Sequence, residues 1–104
     1  MSYVIPYQTG QQWIELGGGD RPSIRPNVDS RWLPTVDLIA DLNFPIVRLN
    51  NETFDGVYSR YVLEHISWRN VRTLISESFR ILRPGGIAVF LTANLLEQCR
   101  ALVE

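Results

Sequence analysis

Residues 12–20 have the sequence QWIELGGGD, in which a short apolar run ends against three glycines. A run of this kind is typical of a buried strand that leads into a tight loop. Four further strands are predicted along the chain, at residues 27–30, 36–41, 54–60 and 86–92. The last of these is continuously apolar, as expected of a strand that is covered on both faces.

Two helices are predicted, one between the fourth and fifth strands and one after the fifth. The first has Ser67 as its N-cap and ends at the proline–glycine turn of residues 83–86. Its apolar stripe comprises Val71, Leu74, Ile75, Phe79 and Leu82. The second begins with a capping-box-like pair, Asn94 and Glu97. Its apolar face comprises Leu95, Leu96, Cys99, Leu102 and Val103. Strands that alternate with helices indicate an α/β fold with a parallel sheet.

Composition limits the possible classes of function. The 104 residues suit a single domain, residues 1–104, and a net charge of -1 predicts no attraction to nucleic acid or to an anionic membrane. No apolar run approaches the length of a membrane helix, and no secretory signal is visible. A single cysteine excludes an internal disulfide, so a cytoplasmic location is expected. One histidine and scattered acids form no metal-binding pattern.

The glycines at residues 17–19 follow the first strand, at the edge where open parallel sheets bind ligands. Glycine lets the backbone turn sharply and approach a ligand closely. A plain glycine turn is the alternative. A dinucleotide site is disfavoured, because Pro22 occupies the third position of that fingerprint and Pro26 follows. Two prolines so close together cannot support the helix that would bind a pyrophosphate.

Two acids follow at the ends of predicted strands. Asp29 ends the second strand, where a carboxylate can accept both hydroxyl groups of a ribose. Asp41 ends the third strand, where a carboxylate can accept from an adenine amino group. For either residue alone, a role in a turn or a cap is the alternative.

Together these features resemble the class I S-adenosylmethionine-dependent methyltransferases, especially small methyltransferase domains of type 11. The matching segments follow the order of that family between Trp13 and Thr92, at residues 15–19, 27–29, 36–42, 54–59, 62–66 and 80–86. The resemblance implies a Rossmann-like, mostly parallel sheet of about five strands in the order 3-2-1-4-5. It also implies S-adenosylmethionine as cofactor and S-adenosylhomocysteine as product.

The resemblance further implies roles for single residues. Gly17 and Gly19 would pass beneath the methionine part of the cofactor, and Glu15 would support their loop and reach the amino group. Asp29 would bind the ribose, and Asp41 would flank the adenine together with Leu42. The implied cofactor-binding set is Glu15, Gly17, Gly18, Gly19, Asp29, Asp41, Leu42 and Ser59. Ser59 and Arg60 would line the cleft near the methyl donor, and residues 62–65 would start the next helix.

The chain departs from the family pattern in two places. The stretch between Gly19 and Asp29 is short, so a loop at residues 20–26 is expected in place of the first helix. The last two strands of the family are not expected either, which would leave the fifth strand at an edge of the sheet. An exposed strand edge favours pairing with another chain. We therefore expect a homodimer through the fifth strand or the final helix, with a monomer shielded by that helix as the alternative.

Candidate catalytic residues are Ser59, Arg60 and His65, the single histidine of the chain. A structural role for His65 is the alternative to a general base. Two functions remain open at this level. The first is a methyltransferase that acts on an unknown acceptor. The second is a non-catalytic binding or assembly module that retains the methyltransferase fold.

Overall fold

A computed structural model describes residues 4–92 and the backbone of residues 96–100. Six strands form one sheet in the order β3-β2-β1-β4-β5-β6. The strands are β1 Trp13–Leu16, β2 Asn27–Asp29, β3 Leu38–Ile39, β4 Phe54–Arg60, β5 Leu82–Leu91 and β6 Leu96–Arg100. A single turn of 3-10 helix, Leu63–His65, precedes the helix α1, Val71–Arg80. Strands β1 to β5 are parallel, which confirms the α/β class and the predicted order 3-2-1-4-5.

The final helix is the main error of the sequence prediction. Residues Leu96–Arg100 form β6, which pairs antiparallel with β5 from Ile87 to Leu91. The fifth strand therefore has neighbours on both sides, and the expectation that it lies at an edge is wrong. Pairing with β6 supplies hydrogen-bond partners for the outer backbone groups of β5, and this requirement outweighs a helical apolar pattern. The remaining residues of the predicted helix lie outside the described residues.

The other predicted elements differ mainly at their ends. Helix α1 begins at Val71 rather than near Ser67, whose carbonyl accepts from the backbone N–H groups of Asn70 and Val71. The proline–glycine segment 83–86 interrupts the pairing of β4 with β5, because Leu82 lies opposite Phe54 and the next paired residue is Ile87. Only two residues of the predicted third strand pair with β2.

The core lies mainly between the sheet and α1. Ile14, Val57 and Phe90 of the sheet pack there with Leu74 of α1, and all four are almost fully buried. The opposite face buries Trp13, Tyr58 and Val89, against which Ile5 and Ile24 pack. Loop residues therefore cover this face near Ile24, and residues 20–26 form no helix, as expected from their two prolines.

Candidate functional site

The carboxyl ends of β1, β2 and β4 surround a cleft of about 310 Å³. Its lining consists of Gly17, Asp29, Ser30, Arg31, Asp41, Leu42, Asn43, Tyr61, Val62, His65 and Ile66. This is the edge at which parallel α/β sheets bind ligands. The structure thus brings Gly17, Asp29, Asp41, Leu42 and His65 of the predicted set to one cleft.

The glycine loop has a conformation and a packing that exclude side chains. Gly17 and Gly19 have φ angles of 82° and 59°, in the left-handed region that glycine adopts readily. A Cβ atom on Gly17 would collide with Val62, and one on Gly19 would collide with Arg31. A Cβ atom on Gly18 would lie 2.5 Å from Oδ1 of Asn27. Contacts within the chain itself therefore require Gly17 and Gly18, whereas Gly19 is required by its φ angle, since the exposed Arg31 side chain can move aside.

Asn27, at the start of β2, holds the glycine loop in place through side-chain hydrogen bonds. Its side chain is completely buried, and its Oδ1 accepts from the backbone N–H of Gly18 at 2.9 Å. Its Nδ2 donates to the carbonyl groups of Gly19, at 3.1 Å, and Thr35, at 3.0 Å. Thr35 Oγ1 also donates to the Gly19 carbonyl, at 2.7 Å. Sequence reasoning did not single out Asn27 for this role, because these contacts join residues eight or more positions apart.

Glu15 supports the loop that replaces the first helix. Its carboxylate is completely buried, and Oε1 accepts from the backbone N–H groups of Ser23 and Ile24 at 2.7 and 3.0 Å. Oε2 lies 3.5 Å from Nε of Arg60, and neither of these two buried atoms has a hydrogen-bond partner. Burial raises the pKa of Glu15, although both backbone bonds and Arg60 act in the opposite direction.

Asp29 lines the cleft with a carboxylate that is already engaged. Its side chain is 10% exposed, and Oδ2 accepts from the Gly19 N–H at 2.9 Å. Oδ1 accepts from the backbone N–H of Arg31 at 3.0 Å and from its Nε at 3.3 Å. The Arg31 side chain is 62% exposed, so it can leave this contact at little cost. Arg31 was missed from the sequence, where only its position two residues after the acid could have indicated it.

Asp41 and Leu42 contribute the opposite wall. Asp41 Oδ1 accepts from the backbone N–H and the side-chain amide of Asn43, at 2.9 and 3.0 Å. These two bonds lower the pKa of Asp41. Asp41 therefore combines the turn role given as its alternative with a position at the cleft. Leu42 is buried, and its side chain packs beside Gly17.

The three candidate catalytic residues occupy different places. Ser59 is buried within β4, and its Oγ has no hydrogen-bond partner, but it does not line the cleft. Arg60 turns toward Glu15 and donates from Nη2 to the carbonyl of Arg21 at 2.5 Å. His65 does line the cleft, in the short turn Leu63–His65. The helix expected to start at residues 62–65 is limited to this turn, and α1 begins at Val71.

Tyr61 lines the cleft, although an aromatic residue at this position was expected to belong to the core rather than to an acceptor pocket. It follows β4 directly and has a φ angle of 55°, which is unusual for a large side chain. Its backbone N–H donates to the carbonyl of Leu91 at 2.6 Å. Half of the residue is exposed, so its ring forms part of the cleft mouth. No sequence signal reveals such a backbone conformation at a non-glycine residue.

A larger cavity, of about 730 Å³, lies at the other end of the sheet. Residues that precede or begin strands line it, among them Gln12, Trp13, Pro26 and Phe54. This is the amino end of the parallel strands, where α/β sheets do not place their ligand sites. Within the described residues, no group of three potential metal ligands occurs. No helix in the described part of the chain is long and apolar enough to cross a membrane.

Comparison with protein families places the chain in a known class. The model of the methyltransferase domain family matches residues 29–90, which is more than half of the chain. The chain therefore belongs to the methyltransferase domain family. A comparison with curated proteins finds no significant match.

Solved structures with a similar fold include a methyltransferase and two candidate methyltransferases. One is a complex of the Haloferax volcanii Trm112 methyltransferase activator with a candidate methyltransferase, at 18% identity and a TM-score of 0.65, covering 82% of this chain and 46% of that one. Another is an S-adenosylmethionine-dependent methyltransferase from Mesorhizobium loti, at 23% identity and a TM-score of 0.61, covering 78% and 46%. A candidate methyltransferase from Bacillus halodurans C-125 has 21% identity and a TM-score of 0.55, covering 78% and 39%. The chain thus spans less than half the length of each of these proteins.

Proposed function

We propose that the chain binds S-adenosylmethionine in the cleft and transfers its methyl group to an acceptor. The observation that carries this proposal is the position of the Asp29 carboxylate, at the end of β2 and beside Gly17 and Asp41. A carboxylate in this position can accept the two hydroxyl groups of a ribose. Membership of the methyltransferase family supports the same cofactor.

The residues present fit this cofactor after one rearrangement. The cleft volume of about 310 Å³ lies at the lower limit for small-molecule sites. Arg31 must release Oδ1 of Asp29 so that this oxygen can accept from a ribose hydroxyl. Glu15 is fully buried and does not line the cleft, so its part would be to hold the loop through Ser23 and Ile24 rather than to contact the cofactor. Leu42 supplies an apolar surface for the adenine.

The chain's own residues would act mainly by alignment of donor and acceptor. When bound, S-adenosylmethionine supplies a methyl group that a nucleophilic atom attacks, while the sulfur leaves with the bonding electrons. Alignment of donor and acceptor contributes much of the catalysis in such a displacement. Tyr61 at the mouth of the cleft would contact the acceptor. His65 would take the proton that a neutral acceptor loses.

Calorimetric titration with S-adenosylmethionine and S-adenosylhomocysteine tests the cofactor site. We expect saturable binding that weakens at least about 10-fold in Asp29→Ala, since a charged hydrogen-bond acceptor contributes about 1.5–3 kcal/mol. Asp20→Ala is the matched control, because Asp20 is exposed in the neighbouring loop. If millimolar ligand produces neither heat nor thermal stabilisation of the wild-type chain, the proposal is wrong.

The second candidate function is a non-catalytic binding or assembly module. The observation that favours it is a set of exposed large apolar side chains, which include Trp32, Phe44 and Val47. Surfaces of this kind mark contacts with other proteins. The Haloferax candidate methyltransferase is seen in complex with an activator protein, and a partner protein is proposed here by analogy. Absent cofactor binding together with a stable protein complex would favour this function.

A homodimer also stays a proposal, but its interface cannot be the edge of the fifth strand. Because β5 is paired on both sides, strand pairing on that side of the sheet would have to use β6. Light scattering coupled to gel filtration measures the mass in solution directly. The mass of a monomer at a concentration on the order of 100 µM would contradict the dimer. Cytoplasmic localisation and a single domain likewise stay predictions.

A further inference from the structure

Gly19 connects the glycine loop, through hydrogen bonds, to the carboxylate of Asp29 that is proposed to bind the ribose. Its N–H donates to Oδ2 of Asp29, and its carbonyl accepts from both Asn27 Nδ2 and Thr35 Oγ1. Two donors on one carbonyl restrict the orientation of the peptide unit that follows Gly19. Gly19 has a φ angle of 59°, and as a glycine its backbone has more conformational freedom than that of other residues, so hydrogen bonds are needed to hold it in one conformation.

The orientation of the Asn27 amide is determined by its neighbours. Its oxygen faces the Gly18 N–H, whereas its nitrogen faces the carbonyl groups of Gly19 and Thr35. A flipped amide would place two acceptors together and two donors together, so these contacts allow one orientation. The backbone of Asn27 is also held in place, because its N–H donates to Asp37 at 2.7 Å.

In place of a long first helix, the loop following Gly19 contains prolines and runs through residues 20–26. A helix would satisfy the backbone groups of this segment internally and give the loop a rigid support. Here Glu15 accepts from two backbone N–H groups within that segment, and Asn27 and Thr35 donate to the carbonyl of Gly19 directly before it. Asn27 and Thr35 act at the glycine end, which lies nearest to Asp29.

We infer that Asn27 and Thr35 are positioning residues for cofactor binding: by holding the Gly18 N–H on one side and the Gly19 carbonyl on the other, they restrict the peptide unit between Gly18 and Gly19, whose N–H fixes the carboxylate of Asp29 for the ribose. This inference rests on the proposed function, since it assigns this clamp of Asn27 and Thr35 to the S-adenosylmethionine site. Neither residue lines the cleft, so both act through Gly19 and Asp29.

The central experiment compares two threonine variants that lose the same kind of hydrogen bond. Thr35→Val removes the donor to Gly19 while keeping the size of the side chain. Thr53→Val is the matched control, because Thr53 Oγ1 donates to the carbonyl groups of Asn50 and Asn51, at the far end of β4. We expect Thr35→Val to weaken S-adenosylhomocysteine binding about 3- to 10-fold, as for loss of one hydrogen bond. Thr53→Val should leave the affinity unchanged, and Thr35→Ser should restore it.

Two further measurements separate positioning from general stability. In an Asp29→Ala background, Thr35→Val should have no additional effect on the affinity, because the group that it orients has been removed. Asn27→Asp keeps the acceptor for Gly18 but loses both donors, and it should weaken binding more than Thr35→Val. If this buried variant does not fold, the threonine series decides the question by itself.

Amide hydrogen exchange at Gly19 provides a readout that needs no ligand. Thr35→Val should accelerate exchange of this amide about 3- to 10-fold relative to Thr53→Val, since its bond to Asp29 loosens. Equal exchange and equal affinity in the two valine variants would overturn the clamp while leaving the proposed function intact. Absence of S-adenosylhomocysteine binding to the wild-type chain would overturn the proposed function, and with it the clamp's role in binding, even if the exchange rates differ.

Discussion

Replacing Glu15 by glutamine separates the charge of this side chain from its hydrogen bonds. The amide oxygen of glutamine can still accept from the backbone N–H groups of Ser23 and Ile24, which the carboxylate holds at 2.7 and 3.0 Å. Alanine at the same position removes the acceptor altogether. The two variants therefore divide the contribution of Glu15 into a hydrogen-bonding part and a part that depends on pH.

The pH-dependent part has a definite sign. Burial raises the pKa of Glu15, so over a range above the unfolded pKa of about 4.3 the folded chain retains a proton that the unfolded chain has lost. The stabilisation is complete below that unfolded pKa and is lost as the pH rises through the folded pKa, by up to about 1.4 kcal/mol per pH unit. Across this range the free energy of unfolding of Glu15→Gln should therefore rise relative to that of wild type. Above the range the difference between the two should stay constant.

The hydrogen-bonding part sets the cost of alanine. Glu15→Ala leaves two N–H groups without an acceptor and Arg60 without its ion-pair partner. Because Ser23 is exposed and water can replace part of the loss, we expect about 2–3 kcal/mol of destabilisation. That is a large share of the roughly 5–15 kcal/mol that stabilises a small domain.

Urea unfolding followed by tryptophan fluorescence measures these differences. Trp13 is 3% exposed, whereas Trp32 and Trp68 are 89% and 79% exposed, so the signal reports mainly on Trp13. Asp20→Asn is the control, as an exposed acid in the same loop. The reasoning would be refuted if the difference in free energy of unfolding between Glu15→Gln and wild type stayed constant from about pH 4 to about pH 8.

Three further predictions concern stability and use the same unfolding assay. Arg80→Ala should lower the free energy of unfolding by about 2–3 kcal/mol, because this guanidinium joins Glu77 to the carbonyl groups of residues 46 and 49. The control is Arg72→Ala at an exposed position of the same helix, which should stay within about 0.5 kcal/mol of wild type. Gly56→Ala should destabilise by about 1–3 kcal/mol, since its Cβ would collide with the ring of Trp13; an unchanged midpoint would contradict the packing. Glu77→Gln should be less stable than wild type above about pH 4.3, because Arg80 lowers the pKa of Glu77. This difference in free energy of unfolding should disappear as the pH falls. A difference that persists at low pH would count against the ion pair.

Local patterns were sufficient for most of the sheet. The apolar runs of β1, β4 and β5 are visible because buried parallel strands need apolar residues on both faces. The glycines at residues 17–19 mark the loop, since left-handed φ angles at Gly17 and Gly19 and a close contact at Gly18 exclude other residues. The two prolines predicted correctly that no helix follows this loop.

Several of the residues expected to bind the cofactor share one cleft, although their binding role stays a prediction. Gly17, Asp29, Asp41 and Leu42 line the cleft, and their positions at strand ends are what pointed to them. Ser59 was placed at the cleft because it ends β4, but the alternation of a strand turns its side chain into the core. Arg31 could not be assigned, because its contact with Asp29 depends on a rotamer that no pattern specifies.

By itself the sequence determined the class of the fold, the order of the parallel strands and the edge at which a ligand would bind. The class and the edge follow from periodicity and from backbone geometry, which are local properties, whereas the order of the strands was implied by the resemblance to methyltransferases. Only the tertiary structure decided that residues 96–100 form a strand and that Asn27 holds the glycine loop. Both depend on hydrogen bonds between distant segments, and the need to pair buried backbone groups outweighs the local preference of either segment.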